Sequence, residues 1–233
     1  MDDNIYLNGG YFLNNPTWDV EDSLWKARHV RSAIERLGLY PKRVVEVGCG
    51  AGEILNQLHG ILPKEIEYSG FEISPKAHEL CQTRRKERLD FYLGSIPEGA
   101  YFDLLLALDV FEHVEDYFGF LKEIRGKAEV KIFHIPLDMS VRSVATLSPI
   151  LHARNTVGHL HYFSKETALS TLTDCGYEIV DWFYTSGPSN RPPRLMPSAI
   201  AALTVEPLKR ALFRGFEDQW VRLFGGSMLV VAK

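Results

Sequence analysis

The chain has 233 residues, of which 45% are hydrophobic, and a formal net charge of -4 at pH 7. That length and apolar content suit one α/β domain with a sizeable core, and the acidic balance excludes a general nucleic-acid binder, which needs a basic face. No apolar run is long enough to cross a bilayer, the start Met1-Asp2-Asp3-Asn4 is no secretory leader, and the scattered Cys49, Cys81 and Cys175 suit reduced thiols in a cytoplasm.

In chain order, Tyr6, Tyr11, Phe12, Trp18 and Trp25 come first. They are expected to anchor an N-terminal arm to the core, with a flap over a ligand pocket as the functional alternative. Leu24, Ala27, Val30, Ile34 and Leu37 recur at helical spacing and Gly38 supplies a stop, so residues 1–38 read as an arm followed by an amphipathic helix. Strands are expected near 43–47, 66–72, 90–94, 102–108 and 129–136, with helices near 52–60, 75–87 and 117–126. This alternation is the signature of a parallel sheet with crossover helices. A helix near 164–175, a strand near 177–185 and the apolar strand 227–232 complete the core. The stretch 187–226 is a C-terminal insert before the last strand. Its prolines break regular helix in the first half, and Arg191 and Arg194 are candidates for an acidic acceptor.

The chemistry concentrates after the first strand. Glu46-Val47-Gly48-Cys49-Gly50-Ala51-Gly52 runs from an apolar strand into a glycine turn that opens a helix. A turn that cradles a pyrophosphate needs positive potential. Glu46 at its mouth repels an anion and attracts a ligand carrying an ammonium and a sulfonium. A dinucleotide fingerprint, G-x-G-x-x-G, also wants glycine at position 53, where Glu53 stands. Glu72 ends the second strand, at the distance expected of an acid that accepts ribose hydroxyls.

With these residues the chain resembles the class I S-adenosylmethionine (SAM)-dependent methyltransferases, whose first motif has the form E-x-G-x-G-x-G. Asp109-Val110-Phe111-Glu112-His113-Val114 is similar to that family's loop after the fourth strand, and His159-Leu160-His161-Tyr162-Phe163-Ser164 to its entry into the last core helix. The resemblance implies an α/β, Rossmann-like fold: a seven-stranded, mostly parallel sheet with helices on both faces. The last strand lies antiparallel between strands five and six, within a single domain spanning 1–233. It implies SAM as cofactor, bound by Glu46, Gly48, Cys49, Gly50, Gly52, Glu72, Ile73, Ser95, Ile96, Asp109 and Val110. Ser95 stands where many members carry Asp.

Methyl transfer to a hydroxyl needs a base, and His113, His159 and His161 are the candidates. His134, inside an apolar run, reads as a satisfied core histidine. His159 and His161 share one face of an extended segment, but no third or fourth ligand accompanies them in the sequence, so no metal site is expected. The expected activity is transfer of a methyl group to a small-molecule acceptor, possibly acidic, at oxygen, by a cytoplasmic protein that binds no DNA. The alternatives are a non-catalytic SAM-binding sensor or scaffold and a protein or RNA methyltransferase.

Overall fold

Seven strands form one sheet in the order β3-β2-β1-β4-β5-β7-β6. They are β1 (Arg43–Val47), β2 (Glu67–Glu72), β3 (Leu89–Leu93), β4 (Phe102–Leu108), β5 (Ala128–Leu137), β6 (Ile179–Ser186) and β7 (Gly226–Ala232). The computed structural model describes Tyr6, residues 10–186 and residues 215–233. Of the expected insert, residues 187–214 lie outside the described residues, Arg191 and Arg194 among them. Strands β1 to β5 pair in parallel, whereas β7 runs antiparallel to both β5 and β6, with Leu137 opposite Gly226 and Phe183 opposite Leu229. This is the topology implied by the resemblance.

Strands buried on both faces read as continuous apolar runs. Leu104, Leu105, Leu106 and Ala107 of β4 and Ile132 and Phe133 of β5 have essentially no exposed surface. One face carries α2 (Ser23–Arg36) and α3 (Glu53–Ile61), which bury Ala27, Val30, Ala33, Leu55 and Leu58 against β1, β4 and β7. The other carries α5 (Tyr117–Arg125) and α8 (Lys165–Asp174), which bury Leu121, Ile124, Ala168 and Leu172 around Phe111, Phe133 and Met228. Each fully buried Leu contributes about 1.5–3 kcal/mol over an exposed one, so the two layers hold the sheet rigidly.

Two segments differ from expectation. Helix α4 (Pro75–Gln82) starts at a Ser74 cap and ends five residues before the expected limit of 87. Its C-terminal continuation turns back on itself, Lys86 and Leu89 exchanging backbone hydrogen bonds around Arg88 at φ +62°. Between β5 and α8, where no element was expected, lie α6 (Val141–Thr146), α7 (Ser148–His152) and a π-helical turn, Ala153–Val157. Ser140 caps α6 by accepting the Ser143 N–H, and Pro149 fits the first turn of α7. A short α1 (Gly10–Asn14) precedes α2, and α9 (Glu217–Phe224) precedes β7. Among the described residues no helix is long and apolar enough to cross a membrane.

The strand order reverses between β1 and β4, which are neighbours although β2 and β3 lie between them in sequence. Crevices outside the carboxyl ends of strands at such a reversal are where open α/β sheets bind ligands. The candidate site opens there.

Candidate functional site

A cavity of about 1510 Å³ lies over the ends of β1, β2, β4 and β5, larger than the roughly 300–1,000 Å³ usual for one small ligand. Its floor is the glycine turn. Gly50 sits at φ +54°, and a Cβ there would lie 2.6 Å from Trp18 Cδ1. Only glycine allows both the turn and that approach. The Gly50 N–H donates to Glu72 Oε2 and the Ser74 N–H to Glu72 Oε1, each at 2.8 Å, so Glu72 ties the turn to the start of α4. A carboxylate has about four lone-pair positions, so Glu72 retains acceptor capacity toward the cavity it lines.

Glu46 also lines the cavity at 1% exposure, and its Oε2 finds no hydrogen-bond partner among the described residues. Burial pushes its carboxyl well above the usual range, the nearby Lys26 opposes that, and Glu72 adds to it. Glu72 is raised as well, by burial, against the pull of its backbone donors. Two such carboxyls facing one space favour a cationic or hydroxyl-bearing occupant.

Of the other expected cofactor residues, Gly48, Cys49, Ile73, Asp109 and Val110 line the cavity. Gly52, Ser95 and Ile96 do not. Gly52 instead admits Phe91 and Cys81 beneath the turn, Ser95 is exposed, and Ile96 packs into the core. Asp109 is already engaged. Its Oδ2 meets Lys26 Nζ at 2.6 Å and its Oδ1 meets His134 Nδ1 at 2.5 Å, in a residue held at φ +55°. Burial raises its carboxyl, but His134 and Lys26 outweigh that and hold it far below the ordinary range. His134 is satisfied at both nitrogens, with Thr185 Oγ1 at 2.8 Å from Nε2, and Thr185 leads on to Ser227. Lys26, which no motif marked, reaches the site from α2.

The aromatic arm crosses the cavity mouth. Tyr6 stacks on Tyr11 at 4.9 Å between ring centres, and Tyr11 meets Trp18 at 4.7 Å. The Tyr6 hydroxyl donates to the Val157 carbonyl at 2.8 Å, and the Asn15 side-chain amide donates to Thr156 O. The arm therefore spans from the glycine turn to the π-helical turn.

The three candidate histidines part company. The Glu112 carbonyl accepts the N–H groups of Leu160 and His161, which draws the 159–161 segment against the 111–113 turn. His113 and His159 consequently line the cavity with ring centres 4.8 Å apart. His161 turns away from it, its Nε2 2.9 Å from the Val114 carbonyl and its ring against Tyr117. The expected shared face of His159 and His161 is absent because the segment pairs with a turn and joins no strand. His159 Nδ1 lies 2.6 Å from Asp138 Oδ2, and His113 Nδ1 lies 2.8 Å from the Tyr6 hydroxyl and 3.2 Å from Gly158 O. Burial, and then His159, lower the His113 pKa to about 4. Glu112 is wholly buried beside them, its carboxyl raised by burial and by Asp109, with neither oxygen hydrogen-bonded among the described residues. Nothing in the sequence marked Asp138, and Glu112 stood in the 109–114 motif without a role, whereas Tyr6 belongs to the arm expected to anchor to the core or to cover the pocket.

Comparison with known proteins gives a consistent result. A family model described as "Methyltransferase domain" matches residues 24–181. The chain is 25% identical to ajmaline N-methyltransferase of Rauvolfia serpentina over 173 residues, covering 65% of this chain and 58% of that protein. It therefore spans little more than half the length of that curated relative. Among solved structures, the Haloferax volcanii complex of the Trm112 methyltransferase activator with a putative methyltransferase matches at TM-score 0.65 and 17% identity, covering 99% of this chain and 95% of that one. A SAM-dependent methyltransferase from Geobacter sulfurreducens, in complex with S-adenosyl-L-homocysteine, matches at TM-score 0.57 and 14% identity, covering 87% and 89%. At such identities the likeness to these structures is one of fold.

Proposed function

Because the chain belongs to the methyltransferase-domain family, we propose that it binds SAM between Glu46 and Glu72 and methylates the hydroxyl of a small molecule held beside His113 and His159. The observation that carries the reading is the buried, unpartnered oxygen of Glu46, one residue from the glycine turn it faces. A cationic ligand gives it a partner and favours its ionised form, whereas a pyrophosphate does neither. Glu72 would accept the ribose hydroxyls, and the turn backbone would lie along the nucleoside. Bound there, SAM supplies a methyl carbon activated by a sulfonium.

The chain's own residues supply the rest. Trp18 and Tyr11 line the cavity and would shield a bound ligand from water. The Asp109–Lys26 pair keeps the end of β4 in place, and the 111–113 turn presents the polar cluster to the acceptor. Asp138 holds the His159 ring by its Nδ1, leaving Nε2 toward the cavity. A cavity of about 1510 Å³ leaves room for an acceptor beside the cofactor, which supports an enzyme over a scaffold that fills the cleft. Among the described residues that line it, carboxylates outnumber cations, which disfavours a track for RNA.

The test is release of S-adenosylhomocysteine across a library of phenols, alcohols, acids and amines. Turnover with hydroxyl acceptors is expected, with kcat reduced about a hundredfold in His159→Ala at an unchanged Kd for SAM. The likeness to an N-methyltransferase favours the competing reading, an amine acceptor. Amine methylation indifferent to His159 would establish that reading and overturn ours. Trp18→Ala should raise the Kd for SAM about fivefold, roughly 1 kcal/mol, by removing the ring that lies over Gly50. Calorimetry measures this directly, and an unchanged Kd would remove the arm from the cofactor site.

A further inference from the structure

We propose that Glu112, His113 and His159 form a binding site for a first-row divalent cation of the Mn²⁺ or Zn²⁺ kind, at the acceptor end of the cavity. Hydrogen-bond logic sets the state of each ligand. The Val157 carbonyl takes the Tyr6 hydroxyl proton, so His113 Nδ1 must itself be the donor to the Tyr6 oxygen or to Gly158 O. His159 Nδ1 faces the Asp138 carboxylate and donates to it. Both imidazoles thus turn a bare Nε2 outward from these anchors, and a carboxylate or carbonyl behind a ligating ring is the usual support for a metal-bound histidine.

The third ligand comes from Glu112, both of whose oxygens lack a hydrogen-bond partner among the described residues although the side chain is wholly buried. Glu112 Oε1 is 3.8 Å from His113 Nε2, and one ligand atom from each of the three residues lies within 4.8 Å of the others. Ligands about 2.0–2.2 Å from a cation stand roughly 3–3.6 Å apart, so side-chain shifts of about 1 Å close the shell. Lone pairs meeting at this distance repel one another unless a cation or a proton enters between them. Two imidazoles with one carboxylate select a first-row transition ion over Mg²⁺ or Ca²⁺, which prefer oxygen.

Three protein ligands leave coordination positions open toward the cavity that His113 and His159 line. Those positions would take the acceptor's hydroxyl oxygen and acidify it, its proton leaving to solvent. This use of the cation rests on the proposed methyl transfer. The binding of the cation does not.

The experiment uses untagged full-length protein, stripped with EDTA and desalted, then titrated with MnCl₂, ZnCl₂ and MgCl₂ by calorimetry, with loss of the free Mn²⁺ paramagnetic-resonance signal as a second readout. One Mn²⁺ or Zn²⁺ per chain is expected, at least tenfold tighter than Mg²⁺. Glu112→Gln and His159→Gln, each checked for fold by circular dichroism, should each weaken binding at least tenfold. Failure of the parent to bind either ion stoichiometrically, or retention of binding in both variants, would overturn the site and leave a buried proton as the partner of Glu112. Methylation at full rate in EDTA would overturn the cation's role and leave the methyl-transfer reading intact. Stoichiometric cation binding without methylation of any acceptor would uphold the site and overturn that reading.

Discussion

Replacing Glu72 by alanine is expected to weaken SAM binding about a hundredfold and to lower the stability of the ligand-free protein by about 1–3 kcal/mol. The two effects have separate causes. Charge-assisted hydrogen bonds to ribose hydroxyls are each worth about 1.5–3 kcal/mol, and the substitution removes them all. It also orphans the N–H groups of Gly50 and Ser74, which now donate to the carboxylate. Part of the latter cost is offset, because burial raises the Glu72 carboxyl and its removal relieves that strain on the folded state. Glu72→Gln retains one acceptor oxygen and should fall between parent and alanine variant in both respects. Calorimetry with SAM and urea denaturation measure the two quantities. A variant that binds SAM like the parent would place the ribose elsewhere.

Asp109→Ala carries the largest expected loss of stability, about 3–5 kcal/mol at neutral pH. Lys26 and His134 both give up their carboxylate partner, and Lys26 is left lining the cavity with Asp22 and Asp19 as the remaining charges that favour its ammonium. Breaking a largely buried pair by removing one member costs more than the pair is worth, because the other charge stays desolvated. The sign of the pH dependence follows from the direction of the shift. Asp109 is depressed in the folded state, so its contribution is fully present above the unfolded carboxyl value near 4 and is lost as pH falls further toward the folded value. The gap between parent and variant should therefore be complete at pH 7 and narrow below about pH 4. Urea midpoints at the two extremes test this. A gap that instead widens in acid would mean that Asp109 does not carry the charge balance at the end of β4.

The parts of this structure that were readable in advance are those whose cause is local. A β-branched run into three glycines dictates strand, turn and helix within a few residues, and Glu46 and Glu72 take their places from strand ends. The missed parts are joined across the chain. Lys26 reaches Asp109 from a helix 83 positions earlier, and nothing in the Ala27–Ile34 stripe marks which polar residue of that helix turns inward. Glu112 meets His159 because a single carbonyl captures two N–H groups beyond the π-helical turn, a turn that no periodicity announces. The expectation that His161 would join His159 failed for the same reason. A period of two holds only inside a strand, and this segment is not one. Ser95 and Ile96 rest on the resemblance alone, whereas the cavity wall here includes Ile73 and neither of them. Tyr6 belongs to the arm, and its reach to His113 depends on the stacking of Tyr6 on Tyr11.

The buried Glu46 carboxyl at the mouth of the glycine turn should select a cationic nucleoside over a dinucleotide. Calorimetric titration of the parent and of Glu46→Gln with SAM and with NAD tests it most directly. Glu46→Gln removes a buried acid whose pKa is pushed up, so the ligand-free variant should be no less stable than the parent at pH 7, and a loss of affinity can be read as a loss of recognition. The expected result is one SAM bound per chain by the parent, at least tenfold weaker binding by the variant, and no NAD binding by either. Tight NAD binding without SAM binding would contradict it.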